Sequence, residues 1–121
     1  MNPSESKLKS KLILTKNLNF NEKKMELTEV FVQEVLNYNH KYNLISKNSE
    51  KEIWNRHVID SAQLVKYIDH KNLNSLADLG TGAGFPGIVL SIFYSDIITF
   101  HVKLYEKSKV KVDFIKAIIQ K

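Results

Sequence analysis

Hydrophobic residues recur at helical spacing through the first part of the chain. After Asn21, a residue type that favours helix N-caps, apolar side chains follow one another in steps of three and four. This stripe consists of Leu27, Phe31, Val35, Tyr38 and Tyr42. A shorter basic helix is predicted from Ser4 to about Leu14, and a third helix from near Glu50 to about Ile68, after a polar turn at Ser46 to Ser49.

The pattern changes near residues 72–75, where helical periodicity gives way to a strand signal followed by glycines. Short strands are predicted from Ser75 to Leu79, as a buried strand, and from Ile97 to Tyr105. Helices are predicted from Pro86 to Phe93 and from Lys107 to the end. Since this β-α-β-α order requires parallel strands with helical crossovers, we divide the chain into a helical region, 1–72, and the first half of an α/β unit, 73–121.

The composition of the chain limits the chemistry it can perform. At 121 residues it fits one compact domain, and the absence of cysteine excludes disulfide frameworks, zinc knuckles, iron–sulfur clusters and thiol nucleophiles. The sequence has no apolar run of about 18 residues and no apolar core of a signal peptide. We therefore expect a cytoplasmic monomer that binds neither membranes nor metal ions.

The net charge of +5 is unevenly distributed. Residues 1–24 and 103–121 each carry six lysines against two acidic residues, or +4, whereas residues 25–102 sum to −3. Two interpretations fit this pattern: solvated lysine faces on two helices, or contacts with the phosphates of a nucleic acid.

All four glycines lie within residues 80–87, directly after the first predicted strand. A glycine-rich loop between a strand and a helix lets a nucleotide-like ligand approach the backbone, although a tight turn remains the alternative. A Walker loop is excluded because no Lys-Ser or Lys-Thr follows the glycines. Residues 82–87 fit G-x-G-x-x-G, so a dinucleotide is formally possible, but the charge of Asp78 would oppose a pyrophosphate. S-adenosylmethionine, which has no phosphate and has a cationic end, suits the loop better.

Three segments, residues 42–46, 56–61 and 78–88, carry a resemblance to a known family. In order and spacing they resemble the RsmG (GidB) family, guanine-N7 methyltransferases of 16S ribosomal RNA, over roughly residues 12–119. The resemblance implies an α/β fold: a Rossmann-like S-adenosylmethionine-dependent methyltransferase fold with an incomplete parallel sheet and an N-terminal helical region. It also implies that the partner is 16S ribosomal RNA or the small ribosomal subunit.

The resemblance assigns roles to individual residues. Gly80 and Phe85 match positions that contact the cofactor, Asp78, Gly82 and Gly84 match positions that shape the loop, and Glu106 matches the acid at the ribose. The helix beside the cofactor pocket corresponds to Arg56, His57, Asp60 and Ser61. From spacing alone, Arg56, His57 and Asp60 can equally form a polar cluster on a helix surface. No residue is assigned a catalytic role, because guanine N7 carries no proton that a base would have to remove.

The chain departs from the family pattern at two places, and the second, larger departure keeps alternatives open. Val110 and Lys111 precede Phe114 where relatives usually carry two adjacent basic residues, and family members continue with further strands. Two strands with two crossover helices also leave a sheet edge exposed. The alternatives are a catalytically inactive fragment of such an enzyme and a helical RNA-binding module in residues 1–72.

Overall fold

The computed structural model describes residues 3–120, in which a helical segment precedes a β-α-β-α unit. The first segment contains α1 (Pro3–Leu12) with a π-helical turn (Ile13–Asn17), α2 (Glu22–Asn39), α3 (Lys47–Lys51), a second π-helical turn (Trp54–Ile59), α4 (Asp60–Ala62) and a 3₁₀ turn (Gln63–Tyr67). The second contains β1 (Ser75–Leu79), α5 (Gly87–Phe93), β2 (His101–Tyr105) and α6 (Lys109–Ile119). None of the helices described is long and apolar enough to cross a membrane.

Side-chain caps determine where several helices begin. Asn21 accepts a hydrogen bond from the Lys24 amide at 2.9 Å, which confirms the predicted start of α2. The turn predicted at Ser46 to Ser49 is wrong, because Ser46 accepts from the Ser49 amide at 3.1 Å and caps α3 instead.

The predicted stripe on α2 extends too far, since the helix ends at Asn39 and Tyr42 lies beyond it. The reason is the buried amide of Asn39, whose Oδ1 accepts hydrogen bonds from the backbone amides of Leu44 at 2.8 Å and Ile45 at 3.0 Å. These bonds turn the chain back after the helix.

The third predicted helix is not one continuous α-helix. It begins at Lys47 rather than near Glu50, widens to a π-helix over Trp54–Ile59, and ends as a 3₁₀ turn at Tyr67. The spacing of apolar residues predicts a helix but not which variant forms: the predicted apolar residues Ile53, Val58 and Ala62 are buried, although Val58 lies in the π-helical turn.

The two strands pair in parallel, as predicted, in a register that runs from Ser75 opposite His101 to Leu79 opposite Tyr105. β2 begins at His101 rather than Ile97, because the Phe100 amide donates to the Ile97 carbonyl in a turn. The prediction that β1 is a buried strand is wrong. Helices cover one face of the sheet only, so alternate residues are exposed and Leu79 is 78% accessible.

The larger of two hydrophobic clusters in the described structure joins the helical segment to the β-α-β-α unit. Its most deeply buried members include Leu14, Phe31, Val35, Val58, Val89 and Phe114. A buried lysine adds a polar link: the Lys24 Nζ lies 3.2 Å from the Asp96 carboxylate and 4.6 Å from the centre of the Phe93 ring. The division at residues 72 and 73 therefore crosses continuous packing and stays a prediction.

Candidate functional site

The glycine loop, residues 80–87, is fixed at its start by the backbone of β2. The amides of Gly80 and Thr81 both donate to the Tyr105 carbonyl, at 2.8 and 3.0 Å. The loop therefore extends the hydrogen bonding between the strands and leaves the sheet at its carboxyl end. Ligands of parallel α/β sheets bind at this end, so the position agrees with the expected binding site.

Glu106 holds the middle of the loop. Its Oε1 accepts from the Gly82 amide at 2.7 Å, and its Oε2 accepts from the Ser108 amide at 2.9 Å. The hydrogen bond from Ser108, followed in size by that from Gly82, lowers the pKa of the Glu106 carboxyl. Each carboxylate oxygen can accept a second hydrogen bond, so the side chain can also receive the hydroxyls of a ribose.

Asp78 binds the start of the helix that follows the loop. Its Oδ2 accepts from the Gly87 amide at 2.9 Å, in the first turn of α5. A Cβ built on Gly87 would lie 2.0 Å from Leu104 Cδ2 and 2.8 Å from this same Asp78 oxygen. The absence of a side chain at residue 87 therefore lets the helix approach both the strand and the carboxylate.

The other end of the loop packs into the protein through Phe85. Its ring centre lies 5.1 Å from that of Phe31 and 4.8 Å from that of His57, on which it is stacked. By contrast, a Cβ built on Gly80 or Gly82 would meet nothing within 4 Å. The loop thus has a closed side at Phe85 and an open side at Gly80 and Gly82, where a ligand has room.

The residues of the segment 56–61 form a second feature beside Phe85. Arg56, His57, Asp60 and Ser61, here called the polar cluster, line a pocket of about 400 Å³ together with Gln63, Leu64, Phe85 and Pro86. Burial lowers the pKa of the His57 imidazole, against the opposing charge of Asp60. The His57 Nε2 is buried and has no hydrogen-bond partner among the described residues.

The polar cluster is not held together by mutual ion pairs. Arg56 pairs through Nε with Glu52 at 2.9 Å, and Asp60 Oδ1 accepts from the Gln63 side chain at 3.2 Å. Arg56 and Asp60 are four residues apart, but the π-helical turn between them changes which side chains share a row. Over residues 3–120, no three His, Asp or Glu side chains come together as a metal site would require.

Thr81 and Tyr105 are parts of the site that sequence reasoning missed. The Thr81 hydroxyl is buried without a partner in the described structure, and the Tyr105 side chain is 52% exposed beside the loop. Both line one end of an apolar groove of about 770 Å³ that α2, α5, β2 and α6 surround. Two signals in the sequence could have identified them: Thr81 lies within the glycine motif, and Tyr105 lies at the end of the second predicted strand.

Comparison with known proteins identifies a family. The family model described as rRNA small subunit methyltransferase G (GidB) matches residues 24–121. The ribosomal RNA small subunit methyltransferase G of Rickettsia felis is 50% identical over 68 residues, which are 56% of this chain and 35% of that protein. The protein of the same name from Magnetococcus marinus is 43% identical over 88 residues, 73% of this chain and 38% of that protein. The matched part thus spans little more than a third of these relatives.

Proposed function

We propose that this chain, which belongs to the rRNA small subunit methyltransferase G (GidB) family, binds S-adenosylmethionine at its glycine loop and takes part in methylation of guanine N7 in 16S ribosomal RNA. The observation that carries the proposal is the hydrogen bond between the Gly82 amide and Glu106. It places an acidic side chain at the edge of an open glycine loop, where a ribose can be held.

The donors and acceptors of the loop fit a cofactor without phosphate. The first amide of α5 that would attract a phosphate already donates to Asp78. The acceptor capacity at Glu106 suits hydroxyl groups, and the open space at Gly80 and Gly82 suits a close approach to the backbone. A dinucleotide would instead need the helix amide that Asp78 occupies.

The residues present would position reactants rather than exchange protons. When bound, S-adenosylmethionine supplies a methyl group on a positively charged sulfur. Gly80 and Gly82 would let it approach the backbone closely and Glu106 would hold its ribose, while Phe85 fixes the closed side of the loop. Guanine N7 offers a lone pair and no proton, so orientation and exclusion of water are sufficient tasks for the protein.

Calorimetric titration of the chain with S-adenosylmethionine and S-adenosylhomocysteine tests cofactor binding. We expect a Kd well below 1 mM, or more than about 4 kcal/mol of binding free energy. Glu106→Ala should weaken binding at least tenfold, whereas Asp113→Ala, a matched change on the exposed face of α6, should not. Millimolar or no binding by the folded wild-type chain would contradict the proposal.

Mass spectrometry of nucleosides from 16S ribosomal RNA incubated with the chain tests the reaction. Appearance of 7-methylguanosine supports the enzyme, whereas cofactor binding without this product supports the inactive fragment. A helical RNA-binding module instead predicts salt-sensitive RNA binding that persists in Glu106→Ala. The family match does not favour that module, because it continues from α2 through the glycine loop.

A further inference from the structure

We propose that the pocket of the polar cluster holds the target guanine base, and that Asp60 selects it through its N1–H and 2-amino group. This inference rests on the proposed function, since it adds a substrate pocket next to the cofactor loop. Phe85 and Pro86 belong to the glycine loop and also line the pocket. A base in the pocket would therefore lie beside the residues that hold the cofactor.

His57 provides the first sign that the pocket takes a polar ligand. Buried polar atoms in proteins nearly always have a hydrogen-bond partner, yet the His57 Nε2 has none in the described structure. One face of the imidazole is stacked on Phe85, which fixes the ring in place. Burial lowers the pKa of the imidazole, which favours its uncharged form, in which one ring nitrogen donates and the other accepts a hydrogen bond.

Asp60 provides the selectivity. It is exposed, and only its Oδ1 accepts a hydrogen bond, from Gln63, among the described residues. A carboxylate presents acceptors alone, and guanine is the RNA purine with two adjacent donors on one edge, N1–H and the 2-amino group. Adenine offers a donor beside an acceptor on the corresponding edge. Binding this edge of guanine leaves N7, on the other side of the base, free for methylation.

Arg56 completes the chemistry of a nucleotide site. It lines the same pocket and is half exposed, and its Nε is the atom that pairs with Glu52. Guanidinium groups commonly bind nucleic-acid phosphates, where they fix the position of the chain without reading its sequence. The pocket therefore combines a base-reading carboxylate with a cation suited to the adjoining phosphate.

The test uses NMR titration of the folded chain with three probes: 5′-GMP, 5′-AMP and 5′-XMP. We expect GMP to shift the signals of His57, Ser61 and Phe85, and AMP to bind about tenfold more weakly, as one lost bidentate pair predicts. Asp60→Asn should weaken GMP binding about tenfold and strengthen XMP binding. The reason is that xanthine carries an oxygen in place of the 2-amino group, and the side-chain amide of asparagine can donate a hydrogen bond to this oxygen.

The exchange of preference separates recognition from a structural role, because a damaged fold would weaken all three probes together. Asp113→Asn, an equal change of charge on α6, should leave all three affinities unchanged. Equal loss for every probe in Asp60→Asn, or GMP shifts outside the pocket, would overturn the inference. A parallel titration with S-adenosylhomocysteine distinguishes the two proposals. If S-adenosylhomocysteine binds and GMP does not, only the base pocket is refuted. If GMP binds and S-adenosylhomocysteine does not, only the cofactor site is refuted.

Discussion

The glycine loop and the polar cluster meet at Phe85, but they are built in different ways. The loop takes its shape from backbone hydrogen bonds to Tyr105 and from carboxylates that are already engaged, Glu106 and Asp78. The polar cluster instead carries side chains with unused donors and acceptors, of which His57 Nε2 is the clearest. We infer that one half of the site depends on backbone geometry, whereas the other depends on side-chain chemistry.

Among the substitutions considered for the two halves of the site, Gly87→Ala in the loop should lower the stability of the protein most. The added methyl would overlap Leu104 and the Asp78 carboxylate, so we expect a loss of about 3 kcal/mol of unfolding free energy. Gly82→Ala is the control, because its Cβ meets open space and its left-handed backbone, with φ of 60°, costs only about 1 kcal/mol. Urea unfolding measures both, and equal losses would contradict the packing argument.

Asp78→Ala should have the next largest effect, a loss of about 1–2 kcal/mol of unfolding free energy, because the amide of the buried residue Gly87 loses its acceptor. Asp78→Asn keeps an acceptor oxygen and should recover most of this loss. Thermal unfolding of both variants, compared with Asp113→Ala, provides the measurement. If Asp78→Asn were as unstable as Asp78→Ala, the capping role would be refuted.

Acid should loosen the loop through Glu106. Because hydrogen bonds lower its pKa in the folded chain, its contribution to stability is complete above the ordinary value of 4.5 and is lost as the pH falls through the lowered pKa. Urea unfolding at several pH values should show a smaller acid dependence in Glu106→Gln than in the wild type. The contribution of Glu106 is the difference in acid dependence between the two proteins, because Glu29 and Asp69 also have lowered pKa values and affect both proteins equally.

Arg56→Ala should change stability least, by no more than about 0.5 kcal/mol, because the Arg56–Glu52 pair is exposed. A guanine pocket predicts that the same substitution weakens 5′-GMP binding severalfold. NMR titration alongside urea unfolding separates the two effects. A large loss of stability with unchanged GMP binding would show that Arg56 is structural, and would remove the contrast between the loop and the polar cluster.

Elements whose hydrogen bonds are local could be predicted from the sequence. Asn21 marked the start of α2, residues 75–79 form the predicted strand, and the order of elements correctly implied parallel pairing. The beginning of β2 could not be found in the same way. Ile97 and Ile98 favour a strand, but a strand needs a partner, and the first bond to the β1 side comes from the His101 amide to Asn74.

The contacts that the predicted site residues make could be foreseen only in part. Glycine spacing and strand position identified Gly82 and Glu106, and the hydrogen bond between them is consistent with the expected loop. Sequence reasoning considered the Asp78 charge only toward a ligand and did not predict its hydrogen bond with the Gly87 amide, because nothing in the sequence shows how closely Gly87 approaches it. The roles assigned to these residues in binding stay predictions.

The bond between Gly82 and Glu106 joins residues 24 positions apart. Its consequence concerns the order of folding. The glycine motif is contiguous in sequence, yet neither its first amides nor Gly82 finds an acceptor until residues 105 and 106 are in place. We therefore expect the loop to reach its final shape only after the second strand has formed. In the folded protein, the amides of Gly80, Thr81 and Gly82 should exchange hydrogen at the same rate as the amides that pair the two strands.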